Sequence, residues 1–139
     1  MGSVEQRTIS AAGAAAAVEA ARVKAAELGI AVSVAVVDPA GVLKAFARLD
    51  GSPLLSVNTC QQKAYTAVAV GIPTKDFHAR YADQPALLGL IGGLPGLAVI
   101  GGGVPIYEGS ALIGGVGVSG ASAEQDAEVA GAAAAAAAG

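Results

Sequence analysis

The feature of this sequence that most constrains its fold is a glycine-dense segment, residues 101–120, that leads directly into a helix. More than half of the segment is Gly, Ser or Pro, while its Val and Ile residues alternate with small ones as in a β-strand. Glycine inside a strand pattern usually marks a place where a ligand or another stretch of backbone comes close. A capping box of Ser122 and Gln125 opens the following helix. The segment therefore predicts a β-hairpin with a surface open to close contact, and then a helix.

The first part of the chain predicts another helix and another hairpin. Residues 10–28 place apolar side chains on one face of a helix, and Gly29 suits its C-terminal end. In residues 30–37 the larger Ile and Val side chains point to one face and the small Ala and Ser to the other, so that a helix could approach closely over the small face. The sequence Asp-Pro-Ala-Gly at residues 38–41 fits a type I turn, and residues 42–49 return as the second strand.

The remaining segments complete the predicted order of elements. A serine followed by a proline at residues 52–53 favours the start of a helix that extends to Val70. The further predicted elements are a helix over residues 75–81, a turn over 85–91, strands over 97–100, 104–107 and 111–119, and a final helix from Ala123. The predicted fold class is thus α/β (α+β), a single antiparallel five-stranded sheet flanked by helices in the order α-β-β-α-α-β-β-β-α.

Composition and charge narrow the class of protein. The chain of 139 residues is long enough for one domain with a sizeable core, predicted to span residues 1–139. Hydrophobic residues make up 54% and charged residues 14%, so we expect part of the surface to be buried in a homo-oligomer. A net charge of −3 without a basic cluster argues against nucleic acid as a partner. Neither a long uninterrupted apolar run nor an export signal is evident, which predicts a cytoplasmic protein without membrane contact.

Three motifs of the C-terminal half carry a resemblance to a known family. They are GGGVPI at residues 101–106, GVGVSG at 115–120 and EQD at 124–126. This arrangement closely resembles the GlcG/HbpS family, which includes haem-binding proteins and the C-terminal domain of PduO-type corrinoid adenosyltransferases. The resemblance implies a tetrapyrrole-binding accessory protein, with haem as the first ligand and a corrinoid as the second, that assembles into dimers or larger oligomers. A fold hosts sites rather than dictating them, so the chemistry has to come from the residues themselves.

Few side chains of this sequence could ligate haem iron, for which His, Cys, Met and Tyr are the usual donors. These candidates are His78, Cys60, Met1, Tyr65, Tyr81 and Tyr107. His78, the only histidine, is predicted to act as an axial ligand or general base, and the alternative is a polar residue on a short surface helix. The predicted cofactor-binding set is His78, Tyr65, Gly102, Gly103, Val104 and Pro105. No cluster of residues predicts a separately bound metal ion.

A second hypothesis is a small cofactor-independent catabolic enzyme that acts on an organic acid in a glycine-rich pocket between subunits. Its predicted catalytic residues are Lys63, His78 and Arg48. Arg48 could bind a carboxylate through two parallel hydrogen bonds, although a charged edge strand explains the same residue. Lys63 could face an apolar pocket or extend its stem to water, and Cys60 on the same helix is typical of a small buried hydrophobe. A third hypothesis is an assembly protein whose glycine-rich face only contacts other subunits, so whether the chain is an enzyme stays open at this point.

Overall fold

Helix α1 (Ala11–Leu28) begins and ends where the sequence predicts. Ser10 caps it, because the serine Oγ accepts a hydrogen bond from the Gly13 amide at 2.9 Å, and Gly29 ends it in the left-handed conformation at φ 66°. A computed structural model describes residues 1–138. Its further elements are β1 (Ser33–Val37), β2 (Leu43–Arg48), α2 (Leu55–Val70), a 3₁₀ turn (Thr74–Asp76), α3 (Phe77–Tyr81), α4 (Pro85–Gly92), β3 (Gly103–Glu108), β4 (Ala111–Ser119) and α5 (Ala123–Ala138).

The strands pair in the spatial order β2-β1-β4-β3, each antiparallel to its neighbours, so the predicted single antiparallel sheet flanked by helices is confirmed. Within residues 1–138 this sheet has four strands, and the predicted fifth strand over residues 97–100 is wrong. Side chains bind the backbone there instead. The Thr66 hydroxyl accepts a hydrogen bond from the Ala98 amide at 2.8 Å, and the Thr74 hydroxyl donates to the Ile100 carbonyl at 2.6 Å. These two hydrogen bonds satisfy backbone groups that would otherwise need to pair with a neighbouring strand.

Helices cover the two faces of the sheet in different ways. On one face, valines of β1 and β4 pack against alanine-rich stripes of α1 and α5. On the other face, Ala35 and Val37 of β1 contact Cys60 and Ala64 of α2. The predicted close approach of a helix over the small face of the first strand is confirmed, and that helix is α2.

Three glycines of β3 and β4, Gly103, Gly115 and Gly117, lie directly under α2, where no side chain would fit. A Cβ atom placed on Gly117 would overlap the carbonyl oxygen of Cys60. One placed on Gly103 would overlap the carbonyl oxygen of Lys63. The glycine-dense segment therefore meets a second stretch of backbone, which is one of the two partners that such a segment predicts.

Candidate functional site

The loop residues predicted to bind a cofactor lie at the start of β3. Gly102, Gly103 and Pro105 are buried and Val104 is half-buried. Gly102 has a φ of 131°, and a Cβ atom there would lie 2.7 Å from the Lys63 Nζ. Protein atoms of α2 and β4 thus occupy the space beside the two glycines. The assignment of this loop to cofactor binding stays a prediction.

The Lys63 side chain is sealed between α2 and the end of the sheet, and only 4% of it is exposed. Its Nζ donates hydrogen bonds to Asp126 Oδ2 at 2.9 Å and to the Val118 carbonyl oxygen at 3.0 Å. Asp126 Oδ1 accepts a third hydrogen bond from the Ala121 amide at 3.0 Å, so the carboxylate also fixes the start of α5. Lys63 is therefore half of a buried ion pair, and its stem does not extend to water.

Asp126 is the partner of Lys63 that the sequence reasoning missed. From its position in the first turn of α5, Asp126 indicates only a charge that complements the helix dipole. The partner Lys63 is distant in the chain, and nothing local to either residue indicates the other. The available signal was the EQD motif at residues 124–126, which carries part of the family resemblance but does not name a contact.

Arg48 and His78 lie near opposite edges of the sheet. Arg48 is on edge strand β2, where its Nη2 donates to the Ser52 carbonyl oxygen at 2.8 Å. His78 is exposed on α3, which follows the 3₁₀ turn beside the opposite edge strand, β3. The structure does not bring Lys63, Arg48 and His78 together in one chain. Their shared catalytic role stays a prediction.

A cavity of about 390 Å³ lies between the outer face of α2 and the segment that contains α4. Its lining is Tyr65, Ala69, Val70, Ile91, Leu94, Pro95 and Leu97. Tyr65 supplies the only polar side chain of this set, and its ring packs over Gly41 in the turn between β1 and β2. Of the predicted cofactor-binding residues, Tyr65 is the one that lines this cavity, which we call the Tyr65 cavity.

A second cavity of about 320 Å³ lies between residues 99–101 and the start of α5. Its lining is Lys75, Val99, Ile100, Gly101, Ala123, Glu124 and Ala127. A single stretch of chain therefore contributes to both cavities. Lys75 and Glu124 are both exposed, so the charges of this second cavity are open to water, which weakens their action on a ligand.

The remaining candidate donor on α2, Cys60, is buried in contact with β1 and β4. Burial raises the pKa of the Cys60 thiol to about 12, and the positive charge of Lys63 offsets only part of this effect. The thiol stays protonated at neutral pH and donates to the Val57 carbonyl oxygen at 3.3 Å. The interpretation of Cys60 as a small buried hydrophobe is confirmed. Among residues 1–138, no group of three His, Cys, Asp or Glu side chains could hold a metal ion.

A comparison with protein families identifies the family to which this chain belongs. Residues 9–135 match the family described as "Haem degrading protein HbpS-like". The chain belongs to the HbpS-like family. The resemblance to GlcG/HbpS proteins drawn from the glycine-rich motifs is thereby confirmed. In the part of this HbpS-like chain that the structure describes, no helix is long and apolar enough to cross a membrane.

Individual relatives agree with the family assignment. HbpS of Streptomyces reticuli, in a crystal structure of a double mutant, is 34% identical with a TM-score of 0.86, covering 96% of this chain and 89% of that one. A crystal structure of a PduOC–haem complex is 34% identical with a TM-score of 0.84, covering 93% and 94% of the two chains. The corrinoid adenosyltransferase PduO of Citrobacter freundii is 36% identical over 112 residues, which are 80% of this chain and 33% of the relative. The HbpS-like chain thus spans about a third of the curated PduO relatives.

Proposed function

We propose that this HbpS-like chain is a tetrapyrrole-binding accessory protein that takes haem in the Tyr65 cavity, with a corrinoid as a second ligand. The PduOC relative, which is similar over almost its whole length, has been crystallised with haem. The observation that carries the proposal is the lining of the cavity, to which Tyr65 contributes the one polar side chain among apolar ones. Tyrosine is one of the side chains that hold haem iron in proteins.

The residues of the cavity fit a mostly apolar group. Its volume of about 390 Å³ lies within the range of small-molecule sites, which are largely apolar with a few placed polar groups. Tyr65 would hold the iron, while Ile91 and Leu97 would cover apolar surface of the macrocycle. Bound haem would supply a redox-active iron. The protein's contribution would be to bind the group and to exclude water from it.

Substituting Tyr65→Phe is expected to shift the Soret maximum of haem-loaded protein and to weaken haem binding at least about tenfold, or roughly 1.4 kcal/mol. The phenylalanine keeps the ring that packs over Gly41 and removes only the oxygen, so the fold is retained. The measurement is a haem titration followed by absorbance. Tyr107→Phe is the matched control, because Tyr107 is similarly exposed but donates its hydroxyl to the Gly71 carbonyl oxygen. That control is expected to leave the spectrum unchanged.

His78→Ala completes the same experiment, because His78 is the other predicted ligand. A spectrum that changes in His78→Ala and not in Tyr65→Phe would move the axial ligand to His78. Titration of the same variants with a corrinoid tests the second ligand. Failure of the wild-type protein to bind either tetrapyrrole would contradict the proposed function.

We also propose that the chain acts as one domain in the cytoplasm and forms a homo-oligomer. The support for the oligomer is a set of large apolar side chains left exposed around edge strand β2 and at the start of α2, namely Val42, Leu43, Phe46, Leu54 and Leu55. Light scattering at micromolar concentration is expected to give a multiple of the 13.3 kDa chain mass. Phe46→Glu should reduce that mass by placing a charge in the contact. A wild-type particle of 13.3 kDa would contradict the assembly.

A further inference from the structure

The two walls of the Tyr65 cavity differ in how tightly they pack on the rest of the protein. One wall is α2, which is packed on the sheet. The other is the segment with α4, in which no residue of the helix is buried, and Leu90 and Leu94 are 64% and 47% exposed. A segment with few buried apolar contacts has little packing energy to fix its position. Something else has to hold this outer wall at the distance that forms the cavity.

Thr66 makes the connection between the two walls. Its Oγ1 accepts a hydrogen bond from the Ala98 amide at 2.8 Å and donates one to the Gln62 carbonyl oxygen at 2.7 Å. Thr66 is fully buried, whereas Ala98 is half-buried and adjoins the cavity residue Leu97. The hydroxyl therefore joins a rigid helix to the end of a loosely packed segment. It lies immediately after Tyr65 in the chain and outside the cavity lining.

We propose that Thr66 is a positioning residue for the haem cavity, which acts by holding Leu97 and the end of the α4 segment against α2. This inference rests on the proposed function of the Tyr65 cavity. Thr66 touches neither the iron nor the macrocycle in this assignment. Its effect is on how long the outer wall stays closed over a bound ligand, and so on the rate at which haem leaves.

The test compares Thr66→Val with Thr66→Ser in haem dissociation and in Soret position. Valine has nearly the same shape but lacks the hydroxyl, so the amide of half-buried Ala98 loses its partner. One lost hydrogen bond of ordinary strength corresponds to about fivefold to tenfold faster haem dissociation. The Soret maximum is expected to stay at its wild-type position, because the axial ligand is unchanged. Thr66→Ser restores the hydroxyl and should restore the rate.

Thr59→Val is the matched control on the same helix. Thr59 bonds the Leu55 carbonyl oxygen and Ser119 Oγ, and it has no contact with the cavity segment through its hydroxyl. Haem dissociation within twofold of wild type is expected for Thr59→Val. Equal acceleration in Thr59→Val and Thr66→Val, or none in Thr66→Val, would overturn the proposal. So would unfolding of Thr66→Val, since that would assign the hydroxyl to fold stability alone.

Hydrogen exchange of the ligand-free protein separates this inference from the proposed function. Thr66→Val is expected to speed exchange of the Ala98 amide about fivefold to tenfold relative to wild type and Thr66→Ser, while amides in β4 stay protected. If the wild type binds no haem, the proposed function fails, and this exchange result still decides whether Thr66 holds the segment. Unchanged exchange at Ala98 would overturn the positioning role whatever the protein binds.

Discussion

Replacing Gly117 with alanine is expected to destabilise the folded state severely. The added Cβ would overlap the Cys60 carbonyl oxygen and lie 2.5 Å from the Ala64 amide nitrogen. Both are backbone atoms of α2, and Gly117 is on central strand β4, so neither side can move without breaking a helix or a ladder. We expect a loss above about 4 kcal/mol, in a protein class whose whole stability is about 5–15 kcal/mol. Circular dichroism and urea denaturation measure the loss.

Gly131→Ala is the control for this experiment. Gly131 is inside α5, and a Cβ atom there has nothing within 4 Å. Alanine in a helix interior is expected to stabilise the protein by up to about 1 kcal/mol relative to glycine. If Gly117→Ala melted like the wild type, the close seating of α2 on β4 would be wrong.

Lys63→Ala is expected to cost about 3–5 kcal/mol of unfolding free energy, because it leaves the Asp126 carboxylate buried without its cation. The chain keeps one hydrogen bond to that carboxylate, from the Ala121 amide. The Val118 carbonyl oxygen loses its bond from Nζ as well. Urea denaturation at pH 7 measures the change. The size of the effect follows from burial, since 4% of the Lys63 side chain is exposed.

Two further variants make the Lys63 result specific. The double variant Lys63→Met with Asp126→Asn removes both charges and should recover much of the loss. Lys24→Ala breaks only ion pairs that are partly open to water, and it should cost less than about 1 kcal/mol. A Lys63→Ala protein of wild-type stability would contradict the structural role. If that stable variant failed to bind ligand or to turn over an organic acid, the result would support the catalytic role predicted for Lys63. The buried ion pair by itself gives that role no support.

Local sequence patterns predicted most of the fold, because they reflect local physics. The alternation of large and small side chains in residues 30–37 and the glycine-dense strands both predicted that another element packs closely on the sheet. The turn at residues 38–41 predicted the first hairpin. The strand expected over residues 97–100 failed for a reason that lies elsewhere in the chain. Its apolar run suits a strand, but backbone groups at Ala98 and Ile100 form hydrogen bonds with the Thr66 and Thr74 side chains instead of with a neighbouring strand. Hydrogen bonds to side chains that are distant in the sequence produce no periodic pattern in residues 97–100.

The candidate site was less predictable than the fold. Tyr65 could be selected because tyrosine is a haem ligand, yet the cavity beside it depends on where α4 lies. Asp126 could not be paired with Lys63, since only the tertiary structure brings α5 to α2. Thr66 gave no signal at all, because a threonine inside a helix commonly bonds its own backbone, and this one does so too.

The direct contact of α2 with the main chain at Gly103 and Gly117 has a consequence for how this cavity could accommodate ligands of different size. Side chains in an interface can be exchanged for larger or smaller ones, but a helix in contact with main chain has no spacer that substitution could lengthen or shorten. The α2 wall of the Tyr65 cavity is therefore a fixed reference surface. In the proposed assignment, adjustment of the cavity to a bulkier tetrapyrrole would fall to residues 85–97 and to the α2 side chains that line it, such as Ala69 and Val70.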